Sequence, residues 1–329
     1  MQFETEISAV HPDIIQTHIL SRLDGQTLAS AGCSSSLLLR LSSQDDLWCQ
    51  ICNETWPSTA QPRLRSLISA FPAGHRSFFS DSFPTLHRHI PTQKLPRSPS
   101  PNPEYLISAV DLRYKDALVL SKAHESETKS GWFLSSPFRV DLIEPKETVP
   151  APAKFHGGED DTCRTDLEDN LTLSWILVDP YRNRAANFSS LRPVSVRRHW
   201  LTGDLLVRYA TISAGNQRGD LVQWEVTVTC GGKGGELHVK EVYLQVEDME
   251  GRNLSGKESL VILQDAMEAG KRRKAKAGEA KQSYEDYQRM KRERRERKQR
   301  REKSLDLVCM ATAVTIFLAW AFLLVRTYR

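Results

Sequence analysis

An α+β fold is predicted: a three-helix N-terminal unit, an antiparallel β-sandwich-like middle domain, and a long basic C-terminal helix leading into a transmembrane helix. Three observations carry this. Apolar residues between 10 and 58 recur at helical spacing, and from Tyr105 onward the period shortens toward two. The run "LVCMATAVTIFLAWAFLLV", residues 307–325, holds nineteen residues without a charge. With 329 residues, 26% charged and 40% hydrophobic, the chain is large enough to bury a substantial core.

The first element is written in "HPDIIQTHILSRLDG". Pro12 suits the opening position of a helix, where its missing N–H costs nothing. Asp13 favours the positive end of the helix dipole. Ile15, Ile19, Leu20 and Leu23 follow at helical spacing until Asp24–Gly25 breaks the run. Leu28, Ala29 and Ala31 form a short second helix. A third starts among Ser34–Ser36 and runs through Leu38 and Leu41; one or two further turns carry Leu47, Trp48 and Ile51. A unit of about 45 residues cannot bury Ile14, Ile15, Ile19 and Leu20 by itself. These side chains pack either against a partner protein or against the downstream domain.

The run "HPDIIQTHILSRLDGQTLASAGCSSSLLLRLSSQDDLW" resembles the F-box. Pro12, Asp13, Ile14, Ile15, Ile19, Leu20, Ser21, Arg22, Leu23, Leu28, Cys33, Leu47 and Trp48 match the family pattern in order. His11 replaces the leading Leu, and Ser34 and Leu37 stand where the family often has Arg and Trp, so the third helix departs most. The resemblance implies docking on the Skp adaptor and, through it, on the cullin of an SCF ubiquitin ligase. Pro12, Ile14, Ile15, Ile19, Leu20, Leu23 and Leu28 would make that contact, an apolar helix-in-groove interface with a few dominant anchors.

Beyond this F-box unit (8–58), "RLRSLISAF" reads as a short helix and "PTQKLPRSPSPNPEY" as a Pro/Ser-rich linker, together 59–103. The segment 104–253 is strand-rich: "YLISAVDLRY", "DALVLSK", "GWFLSSPFRVDLIE", "LTLSWILVD", "DLLVRYATIS", "LVQWEVTVTC" and "ELHVKEVYLQVED" are short and rich in β-formers. Trp224, Val226 and Val228 share one face. In the last strand Lys240, Val242, Leu244 and Val246 form the expected core face, with Val239 on the other. "CGGKGGE" between these strands reads as a hairpin turn. Seven strands predict a sandwich that serves as the substrate-binding domain. "SGWFLSSPFRVDL" and "ELHVKEVYLQVEDMEGR" are faintly similar to the phloem-lectin-like module that plant F-box proteins often carry.

The net charge of +4 is unevenly spread, because Lys271–Lys303 holds 16 Lys/Arg against 6 Asp/Glu. Its strong helix formers and the pairs Glu293/Arg297 and Glu296/Arg300 predict a basic helical stalk over 254–304 that touches lipid headgroups. Nucleic acid is the weaker reading, since only Tyr284 and Tyr287 interleave the charge. Residues 305–325 then form a transmembrane tail anchor, inserted after synthesis, in the endoplasmic reticulum or nuclear envelope. The basic flank keeps the N-terminal domains in cytosol or nucleoplasm. "MQFETEISAV" shows no secretory signal, which makes the six cysteines reduced thiols and the sequons at Asn53, Asn170, Asn187 and Asn253 chance matches.

No catalytic set, cofactor motif or metal site is expected. Cys49 and Cys52 lack a second ligand pair, the acidic stretch 156–169 lacks an EF-hand order, and His199 stands without catalytic companions. The chain is therefore expected to be a non-catalytic substrate-recognition subunit of a membrane-tethered ubiquitin ligase, selecting a protein client. The alternative is a tail-anchored lectin-like or protein-binding module that recruits no ligase.

Overall fold

The computed structural model describes residues 10–83, 85–86, 102–155, 162–216, 220–233, 235–270, 272–273, 276 and 278–328. The centre of the Pro/Ser linker and the acidic residues 156–161 lie outside them.

Helical elements come first: α1 (Pro12–Ile14), continued by a π-helical turn Ile15–Ile19 and a 3-10 turn Leu20–Arg22; α2 (Gly25–Gly32); α3 (Ser36–Ser42); α4 (Asp45–Thr55); a 3-10 turn Pro57–Ala60; α5 (Pro62–Ser69); and α6 (Gly74–Ser82). Then follow β1 (Thr85–Leu86), β2 (Tyr105–Tyr114), β3 (Ala117–Glu127), α7 (Gly131–Ser135), β4 (Arg139–Asp141), β5 (Val149–Lys154), α8 (Thr162–Asn170), β6 (Leu171–Asp179) and β7 (Arg184–Asn187). The chain continues through β8 (Ser195–Arg198), β9 (Leu205–Ala214), β10 (Leu221–Lys233), β11 (Glu236–Asp248), α9 (Gly256–Ala269), β12 (Arg272–Arg273) and α10 (Glu279–Thr327).

Two antiparallel sheets stack face to face. Sheet one has the order β3-β2-β6-β7; sheet two has β4-β11-β10-β9-β8, with β5 also paired to β11. The β2–β3 turn uses Lys115 and Asp116, both at positive φ, as a tight hairpin of right-handed strands requires. Between the sheets Trp175, Trp224, Phe138, Phe188 and Tyr209 are fully buried, with the Phe188 and Trp224 rings 4.3 Å apart. Trp224, Val226 and Val228 share the core face as expected. So do Val242, Leu244 and Val246, but Leu237 and Val239 join them. A bulge explains this: Thr229 faces Glu241 while Cys230 faces Val239, so Lys240 is the extra residue and the alternation reverses there. The expected turn at 230–236 is also narrower, because pairing continues to Lys233↔Glu236. "GWFLSS", read as strand, is the helix α7, capped by Ser130, whose Oγ accepts from Phe133 N at 3.2 Å.

Sheet one is covered on both faces. Leu106, Val110, Leu112, Leu173, Trp175 and Leu177 point into the sandwich. Ile107, Ala109, Ile176, Val178 and Ala185 point outward into a second core built from the N-terminal helices. That is why "YLISAVDLRY" and "LTLSWILVD" are nearly continuous apolar runs while β11 alternates. Polar bonds lock the helical layer down. Asp111 accepts from Ser58 N (2.9 Å), Ser58 Oγ (2.6 Å) and Ser121 Oγ (2.7 Å). Asp81 accepts from Arg184 Nε at 2.7 Å and from its Nη2 at 3.0 Å.

The stretch 254–304 is not one solvated helix. Its first part is α9, which packs Leu260, Ile262, Leu263 and Met267 into the sandwich core and ends at Gly270. A reciprocal capping box starts α9: Ser255 Oγ accepts from Glu258 N at 3.3 Å and Glu258 Oε2 accepts from Ser255 N at 2.9 Å. Ser255→Ala is expected to lower stability by about 1 kcal/mol, read as a shift of the thermal unfolding midpoint.

The early turns of α10 lie on the outer face of sheet two. Ala280, Tyr284, Tyr287 and Lys291 form the contacting stripe, with Tyr284 against Val194 and Ala210, and Tyr287 against Ile212, Leu221 and Met249. Lys291 Nζ pairs with Glu247 at 2.5 Å, and Gln288 donates to Gln223 at 3.0 Å. This cover buries Glu225, which Arg208 approaches at 3.6 Å. Burial pushes the Glu225 carboxyl above its ordinary value of 4.5, against the pull of Arg208 and Lys291 and helped by Glu247. A carboxyl raised in the folded state holds its proton more tightly there. Its contribution therefore favours folding at low pH and is lost as pH rises through the folded pKa. Glu225→Gln should flatten the decline of stability with pH above about 4.5, measured by urea titration at successive pH values.

Candidate functional site

The candidate site is the N-terminal helical segment. His11 caps it, its ring Nδ1 accepting from Asp13 N at 3.3 Å, and Pro12 occupies the first turn. Thr17 Oγ1 donates to Asp13 O and Ser21 Oγ to Thr17 O, both at 2.6 Å. Such bonds to the carbonyl four residues back bend helices. Here the backbone widens to the π form, with the Leu20 N–H shared between Gln16 O and Ile15 O.

The widening decides which side chains face outward. In a regular α-helix, residues five apart are about 140° apart around the axis. In a π-turn the hydrogen bond spans five residues, so they stand nearly one above the other. Ile15 and Leu20 are each 1% exposed, while Ile14 and Ile19 are 50% and 48% exposed. The turn thus sorts "IIQTHIL" into an inward pair and an outward pair. A purely α-helical segment could not do both.

The seven residues singled out from the sequence are not on one surface. Ile15, Leu20 and Leu28 are buried in the chain's own second core; Pro12 and Leu23 are half-buried; Ile14 and Ile19 are exposed. Val10 and Leu39 add further exposed apolar surface. The buried three support the ridge from beneath. Gly25 supports it too: a Cβ there would overlap the Phe79 ring, so α2 seats directly on α6. The third helix, where the family pattern is weakest, is formed, with Ser35 Oγ accepting from Leu38 N at 3.2 Å. Trp48 Nε1 donates to Ser42 O at 2.6 Å and ties α4 to its end.

Other sequence candidates resolve differently. Cys52 is buried with Sγ 3.6 Å from His75 O, and burial pushes its thiol far above the usual range. Cys49 is half-buried beside it, and among the described residues no group of three His, Cys, Asp or Glu could hold a metal ion. Asp166 and Glu168, from the acidic stretch 156–169, lie on α8, where Asp166 pairs with Lys115 at 3.2 Å and Glu168 with Lys281 of α10. Trp200 stands 87% exposed beside His199 between β8 and β9. Two features went unread in the sequence. One is the Asp45 carboxylate, which takes His75 N (2.7 Å) and Nδ1 (2.9 Å) and joins α4 to α6. The other is the docking of α10, whose signal was the 280/284/287/291 spacing.

The geometry defines a class: a helical layer presenting a small isoleucine ridge, carried on a β-sandwich, with a C-terminal helix long and apolar enough to cross a membrane by length and composition. Comparison with known proteins names the family. The chain is 46% identical to the F-box protein At2g27310 of Arabidopsis thaliana over 341 residues, covering 97% of each. It is 48% identical to the F-box protein At3g44326 over 281 residues (83% of this chain, 76% of the relative). It is also 48% identical to the probable F-box protein At2g36090 over 267 residues (81% and 76%), both again from Arabidopsis thaliana. The chain belongs to this family of plant F-box proteins. No family model matches it, and no solved structure does.

Proposed function

We propose that the protein is a substrate-recognition subunit of an SCF-type ubiquitin ligase, itself without catalytic activity. In this reading Ile14 and Ile19 enter an apolar groove of the Skp-type adaptor, with Pro12 and Leu23 at the margin. Ile15, Leu20 and Leu28 hold the ridge in shape. The adaptor brings the cullin, and the sandwich selects a protein client. The single observation that carries this is the pair of half-exposed isoleucines in a chain of F-box relatives. An apolar pair held at this exposure by two buried neighbours is pre-ordered for a partner.

The α10 span tethers the assembly to the endoplasmic reticulum or nuclear envelope, with the N-terminal body in cytosol or nucleoplasm. Tethering raises the local concentration of clients in the same membrane. The test is affinity purification of the full chain from detergent-solubilised membranes. Co-purification of adaptor and cullin in stoichiometric amounts is expected. A chain recovered with bound client but no adaptor would overturn the ligase reading.

A further inference from the structure

The docking of α10 fixes where the chain leaves its folded body. Contacts along the helix pass from Tyr284 beside Ala210, to Tyr287 beside Ile212 and Leu221, to Lys291 on Glu247, and to Arg295 donating to Glu250 O at 3.3 Å. The helix therefore runs toward the end of sheet two where β9 and β11 finish, and leaves the body near Arg295. From there to Leu307 is twelve residues, about 18 Å of helix.

This short exposed stretch is predominantly basic. Residues 295–306 hold six Lys/Arg against Glu296, Glu302 and Asp306, a net +3. Its ion pairs, Arg297–Glu293 at 3.2 Å and Arg300–Glu296 at 3.8 Å, are solvent-exposed and weak. Lys298, Arg301 and Lys303 have exposed side chains and no acidic partner among the described residues. At about 100° per residue, Lys298, Arg300, Arg301 and Lys303 point to all sides of the helix. They form a collar, not a stripe. All four lie within nine residues, about 14 Å, of the first residue of the apolar run, a distance that long basic side chains and a Debye length of about 8 Å bridge.

We propose that this collar binds anionic lipid headgroups and gathers them around the α10 span. The proposal rests on the reading that α10 crosses a membrane. Charge complementarity and continuity with the apolar run favour a lipid surface over other polyanions. A basic stripe would lean the helix onto one side of the bilayer surface; an all-round collar suits a span encircled by headgroups.

The test uses full-length protein with Cys33→Ser and Cys49→Ser, labelled with a donor fluorophore at Cys309, which is exposed within the span. It is reconstituted in phosphatidylcholine nanodiscs carrying trace acceptor-labelled phosphatidylserine or acceptor-labelled phosphatidylcholine. Energy transfer to the serine lipid should exceed that to the choline lipid at least about threefold, a difference that falls away near 0.5 M salt. The preference should vanish in K298Q/R300Q/R301Q/K303Q, whose span still inserts. Equal transfer to both lipids overturns the collar and leaves the span intact. Absence of transfer to either lipid overturns the span reading, and the collar with it. Tight binding of a labelled RNA oligonucleotide by the protein in neutral nanodiscs, with equal lipid transfer, assigns the charge to nucleic acid instead.

Discussion

If the proposed interface is right, replacing Ile14 and Ile19 together by Asp is expected to abolish capture of a Skp-type adaptor and to leave the fold intact. Both side chains are about half exposed and neither supports the second core, so the native state loses little. At the interface each substitution deletes an apolar anchor and places a carboxylate in a desolvated groove. With about 2 kcal/mol or more lost per anchor, the pair weakens adaptor binding by more than about 100-fold. Titration with purified adaptor reads the affinity, and circular dichroism of the same sample reads the fold. The contrast is with Ile15→Asp or Leu20→Asp, which bury a charge among Leu28, Trp48 and Phe79. Those variants are expected to lose adaptor binding through destabilisation of the fold, which the circular dichroism signal would show. Full adaptor affinity in the Ile14/Ile19 double variant would remove the ridge from the interface.

Trp56→Ala is expected to cost much of the stability that joins the two layers. Trp56 is buried where α4 ends and lies between the helical layer and sheet one. Its Nε1 donates to Ser174 Oγ of β6 at 3.2 Å, and its ring meets Phe78 edge-on at 5.8 Å and Phe79 at 5.5 Å. Truncation removes the side chain from both layers at once and leaves a cavity that neither can collapse into, a loss of about 3–5 kcal/mol. The urea midpoint of the chain in detergent reports it. Because Trp56 touches both layers, one shared transition should shift as a whole. Loss of the helical signal alone, with the sandwich unchanged, would show that the two layers unfold independently.

The general architecture was legible because it is written in period and length. Helical spacing in "IIQTHIL", alternation in "WEVTVTC" and the uncharged 307–325 run each report a local environment directly. The π-turn was not legible, since nothing in the apolar pattern records the Leu20 N to Ile15 O bond that spans five residues. Hence the division of Ile14/Ile19 from Ile15/Leu20 needed coordinates. The bulge at Lys240 was equally silent and moved Val239 to the opposite face. Two signals were present and unread. The nearly continuous apolar runs of β2 and β6 recorded a sheet covered twice. The stripe Ala280, Tyr284, Tyr287, Lys291 recorded a helix lying on something, and the density of surrounding charge hid it.

The double cover of sheet one bears on how this fold tolerates change. Ile107, Ala109, Ile176 and Val178 are as much a part of the N-terminal helical layer's core as of the sandwich. A gene fusion that moved residues 10–83 onto a foreign recognition domain would strip those four positions bare and leave Trp56 and Phe78 without a floor. The two layers thus share one wall, and a substitution on either side of it is felt by both.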